Sequence, residues 1–327
     1  MDSARRSKTS WIGRLAGTVA LAMAFAIAAT PAAALAKKKK ASDDSGNASG
    51  VAAPDAACGA TFSVCCTITS SGLFTMSANI ATAITSGTCV SISGADNVTV
   101  NMAGFTINDT ASANTATGIG ISSSSGSINN IFIEGTNGNV TGFGTGISAN
   151  PGTSSFDAGA YVDSVNVSKD GTGILAEGHN VAISSISAGS NLNGVEFDGC
   201  TNCSLGFGDI EDNTGYGVWV NNSDGTAVSG TFTASNTTAG IYVGCATTTP
   251  GTSCSNHGST TKLFNAISDT NKYGIYIDTG EDTNNVAFTD GSSNTTDDAF
   301  ANGDNTCAET NWFENTFTKV SPSCIGL

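Results

Sequence analysis

Beyond residue 14 the chain contains no arginine, and beyond residue 40 it holds only four lysines: Lys169, Lys262, Lys272 and Lys319. Against those four stand 26 acids, so this part of the chain carries a net charge of −22. Such a body cannot neutralise phosphates, which excludes nucleic acid and anionic lipid as partners. An anionic polysaccharide is a poor ligand for the same reason, unless a cation bridges it. Histidine is nearly absent too. His179 and His257 are the only two, and neither has the spacing of a metal site. No stretch after the N-terminal region is apolar enough to span a bilayer, and no helical periodicity runs through the chain.

The positive charge that exists is concentrated at the start. Arg5, Arg6, Lys8 and Arg14 precede an apolar run over residues 15–29, followed by Ala34-Leu35-Ala36. This order predicts a secretory signal peptide over residues 1–36 with an A-x-A cleavage site, hence a secreted or periplasmic protein without membrane contact after cleavage. Lys37, Lys38, Lys39 and Lys40 and the Ser/Asp/Gly/Ala-rich residues after them read as a disordered linker to residue 57. A single domain is expected over residues 58–327. All ten cysteines lie in it, and an even count in an exported chain reads as disulfides. Local pairing joins Cys200 with Cys203, Cys245 with Cys254, and Cys307 with Cys324. Cys58, Cys65, Cys66 and Cys89 pair among themselves in an order the sequence leaves open. Zinc at Cys200 and Cys203 would need a second ligand pair.

The chain is rich in glycine, and one glycine-led phrase keeps returning. Gly118, Gly146, Gly173, Gly194, Gly217, Gly240 and Gly274 each open a Gly-aliphatic-x-apolar stretch, mostly 21 to 28 residues apart. Between them lie short alternating pieces such as NVTVNM (residues 97–102), NIFIEG (130–135) and NVAFTDG (285–291). Their period of two and their Val, Ile and Thr content make them strands, with Gly, Asn, Ser and Asp at the corners. Repeats of this length with no helix predict a solenoid in which each turn pairs in parallel with the next. The expectation is an all-β, monomeric β-helix of about nine coils, rising about 4.8 Å per coil. Tandem sandwiches would leave the phase-locked glycines unexplained. The last spacing, 34 residues, contains an insertion with Cys245 and Cys254. Asn191, Asn213, Asn236, Asn271 and Asn294 stand three or four residues before a repeat position. Stacked at one corner they could form a hydrogen-bonded ladder, although turn formation is the role expected of most of them.

The stretch ADNVTVNMAGFTI (residues 95–107), the Gly-Ile repeats and the terminal TNWFENTF (310–317) with PSCIGL resemble right-handed parallel β-helix proteins of the pectin-lyase-like superfamily. The resemblance implies the fold and leaves the activity open, because that superfamily spans lyases, hydrolases, epimerases and adhesins. Pectate-lyase-type members use a basic residue, commonly arginine, with calcium, and this domain has no arginine. Polygalacturonase-type members carry Asn-Thr-Asp, Asp-Asp, Gly-His-Gly and Arg-Ile-Lys in that order. Here Asp297-Asp298 follows Gly178-His179-Asn180, and the other two motifs are missing.

The repeat phase points to a candidate site. Two aliphatics of each Gly-aliphatic-x-apolar stretch face the core, so x faces outward. Read along the stack, x is Gly120, Ser148, Leu175, Glu196, Trp219, Tyr242 and Tyr276. Two residues further lie Ser122, Asn150, Glu177, Asp198, Asn221, Gly244 and Asp278. Trp219, Tyr242 and Tyr276, with Asn221, therefore form an expected platform for a carbohydrate partner, because ring faces stack on sugar C–H groups and the acids accept hydroxyl protons. Mutual stacking that stabilises the sheet is the competing role. Glu177, Glu196 and Asp198 are the catalytic candidates if a glycosidic bond is broken, since their spacing on adjacent rungs suits paired carboxylates. Asp278, Glu281 and Asp282 form a weaker candidate for Ca2+, lacking the spacing of a known calcium loop.

Overall fold

The computed structural model describes residues 56–111, 115–123, 128–153, 159–244, 260–278, 284–302, 307 and 310–325. The expected signal peptide, the linker up to residue 55, and the Cys245–Cys254 pair lie outside these residues. The described residues fall in one compact unit, Asn47–Leu327.

Among the described residues most turns contribute one strand to an eleven-stranded sheet and two to a nineteen-stranded sheet, in which Ile131–Thr141 and Ala160–Ser168 each run as one long strand, and every strand pair is parallel. The repeats supply Thr117–Ser122, Thr145–Asn150, Thr172–Ala176, Asn193–Asp198, Tyr216–Asn221, Ala239–Val243 and Tyr273–Ile277 to the smaller sheet. Cys66–Ile68 and Thr88–Ser93 extend it at one end, Asp297–Ala301 and Val320–Ser321 at the other. These four strands lack the leading glycine, so the repeat glycines mark only seven of the eleven described strands, against the about nine coils expected. In the larger sheet most turns make two short strands around a bend, such as Ser204–Gly206 and Asp209–Glu211. The bend residues are left-handed: Ser185, Phe207, Asn265 and Phe288 have φ between 51° and 56°.

The core is the column that the phase predicts. Ile119, Ile147, Ile174, Val195, Val218, Ile241 and Ile275 are register partners in turn and fully buried. Glycine leads them for a packing reason. A Cβ on Gly146, Gly173, Gly194 or Gly217 would lie 2.5–2.6 Å from the carbonyl oxygen of the glycine one turn on. The backbone at this corner stacks too closely for any side chain.

The asparagines do more than turn the chain. Oδ1 of Asn213, Asn236, Asn271 and Asn294 each accepts the backbone N–H of the asparagine one turn before, at 2.8–3.1 Å. Nδ2 of Asn213, Asn236 and Asn271 donates onward to the next Oδ1. The five amides are buried, so the ladder supplies corner N–H groups with partners where water cannot. Aspartate stands at both ends. Asp298 accepts from Asn294 Nδ2, Thr318 and Lys319, and those hydrogen bonds outweigh its burial and hold its carboxyl below the usual range. Asp170 donates its N–H to Asn191 Oδ1.

Four disulfides are described. Cys200–Cys203 and Cys307–Cys324 pair as expected, and the N-terminal set resolves as Cys58–Cys66 and Cys65–Cys89.

Candidate functional site

The outward residues of the eleven-stranded sheet lie in the predicted register. Ser148, Leu175, Glu196, Trp219, Tyr242, Tyr276 and Phe300 are successive partners. Beside them runs a second outward column: Thr88, Thr117, Thr145, Thr172 and Asn193, then Tyr216, Ala239, Tyr273 and Asp297. The face therefore changes character along the stack, from small hydroxyls through carboxylates to aromatics.

The aromatic end is one continuous cluster. Tyr216 stacks on Tyr242 with ring centroids 4.7 Å apart and touches Trp219 at 5.2 Å. Tyr242 meets Tyr276 at 5.2 Å, and Tyr276 meets Tyr273 and Phe300 at 5.1 and 4.9 Å. Ala239 is small enough to let Tyr216 lean across to Tyr242. Trp219 is fixed by its Nε1–H, which donates to the Gly244 carbonyl at 2.9 Å.

Two expectations change here. Tyr242 points outward by phase, yet it is only 8% exposed because its neighbours cover it. Its hydroxyl donates to Asp278 Oδ2 at 2.7 Å, and Asn302 Nδ2 donates to Oδ1 at 2.8 Å. Tyr242 is thus the floor of the cluster and not a platform. Asp278, expected in an acidic corner, is buried and bonded on both oxygens. Glu281 and Asp282 lie outside the described residues. Burial first, then the Asp278 charge, pushes the Tyr276 hydroxyl up to about 12. The Tyr242 hydroxyl is raised by burial and by the hydrogen bond to Asp278. The exposed part of the cluster is Tyr216, Trp219, Tyr273, Tyr276 and Phe300, each half-buried. Phase reading missed three of these. Tyr216 and Tyr273 stand immediately before the repeat glycine, a position not read as outward. Phe300 lies on a strand where Asp298 replaces the glycine.

The carboxylates adjoin this cluster. Glu196 pairs with Trp219 across one rung, and Asp198 with Asn221, whose Nδ2 donates to Asp198 Oδ1 at 2.9 Å. Glu196 Oε2 accepts weakly from Thr172 Oγ1 at 3.3 Å and Asn193 Nδ2 at 3.4 Å. Glu177 accepts from Asn150 Nδ2 at 3.4 Å. Burial raises the pKa of Glu177 and Glu196, and the Asp198 charge raises both further. Glu177 and Glu196 thus both lie in the field of the Asp198 charge.

No protein-family model and no curated protein sequence matches the chain. Solved structures do. The chain is similar to the enzymatically active domain of tailspike protein 2 from bacteriophage CBA120, at 14% identity and a TM-score of 0.51 over 80% of this chain and 42% of that one. It is similar to the Dettilon tailspike protein, at 12% identity and a TM-score of 0.50 over 78% and 50%. It is also similar to the A-module of a mannuronan C-5 epimerase from Azotobacter vinelandii, at 9% identity and a TM-score of 0.50 over 78% and 82%. The chain spans less than half the length of the first of these. With every described strand pair parallel and the turns stacked in register, the fold is a right-handed parallel β-helix.

Proposed function

We propose that the chain binds a neutral polysaccharide or glycan along the exposed face of the eleven-stranded sheet. The observation that carries this reading is the junction of Trp219, Tyr216 and Tyr276 with Glu196 and Asp198. Rings already locked by their neighbours offer stacking area at little entropic cost, and adjacent carboxylates and Asn221 accept or donate hydroxyl hydrogens. A net charge of −22 beyond residue 40 favours an uncharged ligand over a uronate, so the mannuronan of the epimerase's name is not carried over. The test is a glycan array with a reducing-sugar assay. Trp219→Ala should weaken binding about tenfold or more, with a small loss of melting temperature from the Gly244 hydrogen bond. If that variant loses stability and changes no binding, the rings are a structural stack and the reading fails.

Glycoside hydrolysis is the second reading, favoured by the raised pKa of Glu177 and Glu196 beside Asp198. Product in the reducing-sugar assay would support it. Glu196→Gln should then retain binding and abolish turnover, because an amide keeps the shape but cannot carry the proton.

A further inference from the structure

The bend of the nineteen-stranded sheet is the one corner of each turn that does not adjoin the smaller sheet, and it carries a ridge of exposed phenylalanines. Phe207 is 72% exposed, Phe313 55%, Phe264 51% and Phe288 43%. Phe264 touches Phe288 with ring centroids 5.2 Å apart, and Phe288 touches Phe313 at 5.6 Å. Phe207 reaches across the next rung, where Gly230 would set a Cβ 3.0 Å from its ring. Five successive rungs are thus covered by apolar rings facing water.

The backbone makes this more than chance exposure. Phe207 and Phe288 occupy the left-handed bend, with φ of 56° and 52°. Other turns place Ser185, Gly230, Asn265 or Glu314 at that position. Glycine and asparagine adopt it readily, whereas a bulky side chain there is an outlier. Phe207 and Phe288 therefore combine a left-handed backbone with apolar exposure. A large apolar side chain held exposed in that conformation is a candidate for an interaction surface.

The flanks identify the occupant. On one side of the ridge Lys262 is exposed. On the other, Asp209 and Asp290 are exposed, in one column with Phe232 and Ile267. Among the described residues none of these three charged side chains has a partner. If two ridges meet around a two-fold axis parallel to the stack, the lysine flank of each faces the aspartate flank of the other. An axis across the stack would set lysine against lysine and aspartate against aspartate. Beside Phe264, the small residues Ala227 and Ala287 leave a hollow of about 360 Å³, lined also by Lys262 and Asn285, which can receive a ring. The exposed ring area is on the order of 400 Å². That is about half the surface a standard interface takes from each partner, with the polar flanks supplying the rest.

We propose that this ridge is a self-association surface, on which a second copy of the chain packs in parallel with Lys262 of each copy against Asp290 of the other. The proposal departs from the monomer expected from the sequence and does not depend on the glycan reading.

Sedimentation velocity of the full chain across a concentration series provides the test. The wild type should dimerise. Phe264→Ser and Phe313→Ser should each weaken the dimer at least tenfold with unchanged circular dichroism. Phe288→Asn should do the same while raising the monomer's melting temperature, because asparagine relieves the bend. Lys262→Asp and Asp290→Lys should each disrupt the dimer, and the double variant should restore it. A wild type that stays monomeric at every concentration overturns the proposal. So does a dimer that the phenylalanine variants leave intact, or a charge swap that fails to rescue. Loss of glycan retention in Phe313→Ser without change in mass would overturn it too, and would assign the ridge to sugar.

Discussion

Asp170 shows how one substitution in a repeating position can make a fold sensitive to pH. It stands three residues before Gly173, where the following turns carry asparagine, and it is buried. Its Oδ1 accepts the Phe143 N–H at 2.7 Å, but Oδ2 has no hydrogen-bond partner. An asparagine would place an Nδ2 donor there, and a protonated carboxyl can place an O–H. Burial pushes its pKa up to about 8, against the opposing effect of the Phe143, Gly142 and Ser168 backbone amides, from an ordinary value of 3.8. No charged side chain contributes to that shift, although Lys169 precedes it and Asp109 lies one corner away. Between those two values the unfolded chain has lost a proton that the folded chain keeps. Stability from this group is therefore complete below about pH 4 and is lost as pH rises towards 8, at on the order of 1 kcal/mol per unit. Asp170→Asn should raise the melting temperature at pH 8 and change it little at pH 4. An equal shift at both values would mean that Asp170 is ionised throughout. Trp219 makes the complementary point at the same scale. Its phase was legible, because a period of two fixes which residues face outward, but the burial of Tyr242 was not, since that depends on Tyr216 leaning over Ala239 from the neighbouring column.

At the scale of the element, the repeating corner explains both why the fold can be read and where reading stops. The Gly-aliphatic phase was legible because two separate constraints select it: the glycine by backbone approach, the aliphatic by burial. Gly217→Val tests the first. Its side chain would meet Gly240 O and Asn236 Nδ2, breaking the strand stack and the ladder together, so the expected result is aggregation or a melting temperature lowered by many degrees, read by scanning calorimetry. An unchanged melt would refute the close approach. Asn236→Ala tests the ladder alone. It removes Nδ2 bonds to Asn271 Oδ1 and Ile210 O, and it leaves the Asn213 N–H and Nδ2 without their acceptor. A loss of about 2–4 kcal/mol is expected in denaturant unfolding; a loss below about 1 kcal/mol would return these asparagines to simple turn residues. The sequence showed that the asparagines share a corner. It could not show that each amide reaches the next turn, because the spacing to the glycine varies between three and four residues. The acids at the ladder ends were invisible for the same reason: Asp298 looked like half of an acidic pair, and only its bonds to Asn294, Thr318 and Lys319 reveal a structural cap.

For the stack as a whole, stability is a sum of rungs and of the contacts between neighbouring rungs, so the end rungs have one neighbour fewer and open first. The disulfides are distributed to answer that. Cys58–Cys66, Cys65–Cys89 and Cys307–Cys324 clip the two ends of the described residues, closing loops of 8, 24 and 17 residues. Cys200–Cys203, in the middle, closes only three. Because the constraint on the unfolded chain grows with loop length, the terminal bonds contribute most, about 2–4 kcal/mol for the longer two. The middle rungs rely instead on the Ile/Val column and the asparagine ladder, neither of which is redox-sensitive. Mild reduction followed by hydrogen exchange should therefore deprotect residues 61–93 and 310–321 first. Strands Asn193–Asp198, Tyr216–Asn221 and Ala239–Val243 should keep their protection until denaturant is added, and the aromatic face with them. Glycan retention, if the face binds as proposed, should survive the same treatment. Uniform loss of protection on reduction would show that the ends and the middle fold as a single cooperative unit, and that the disulfides hold the entire stack and not its termini.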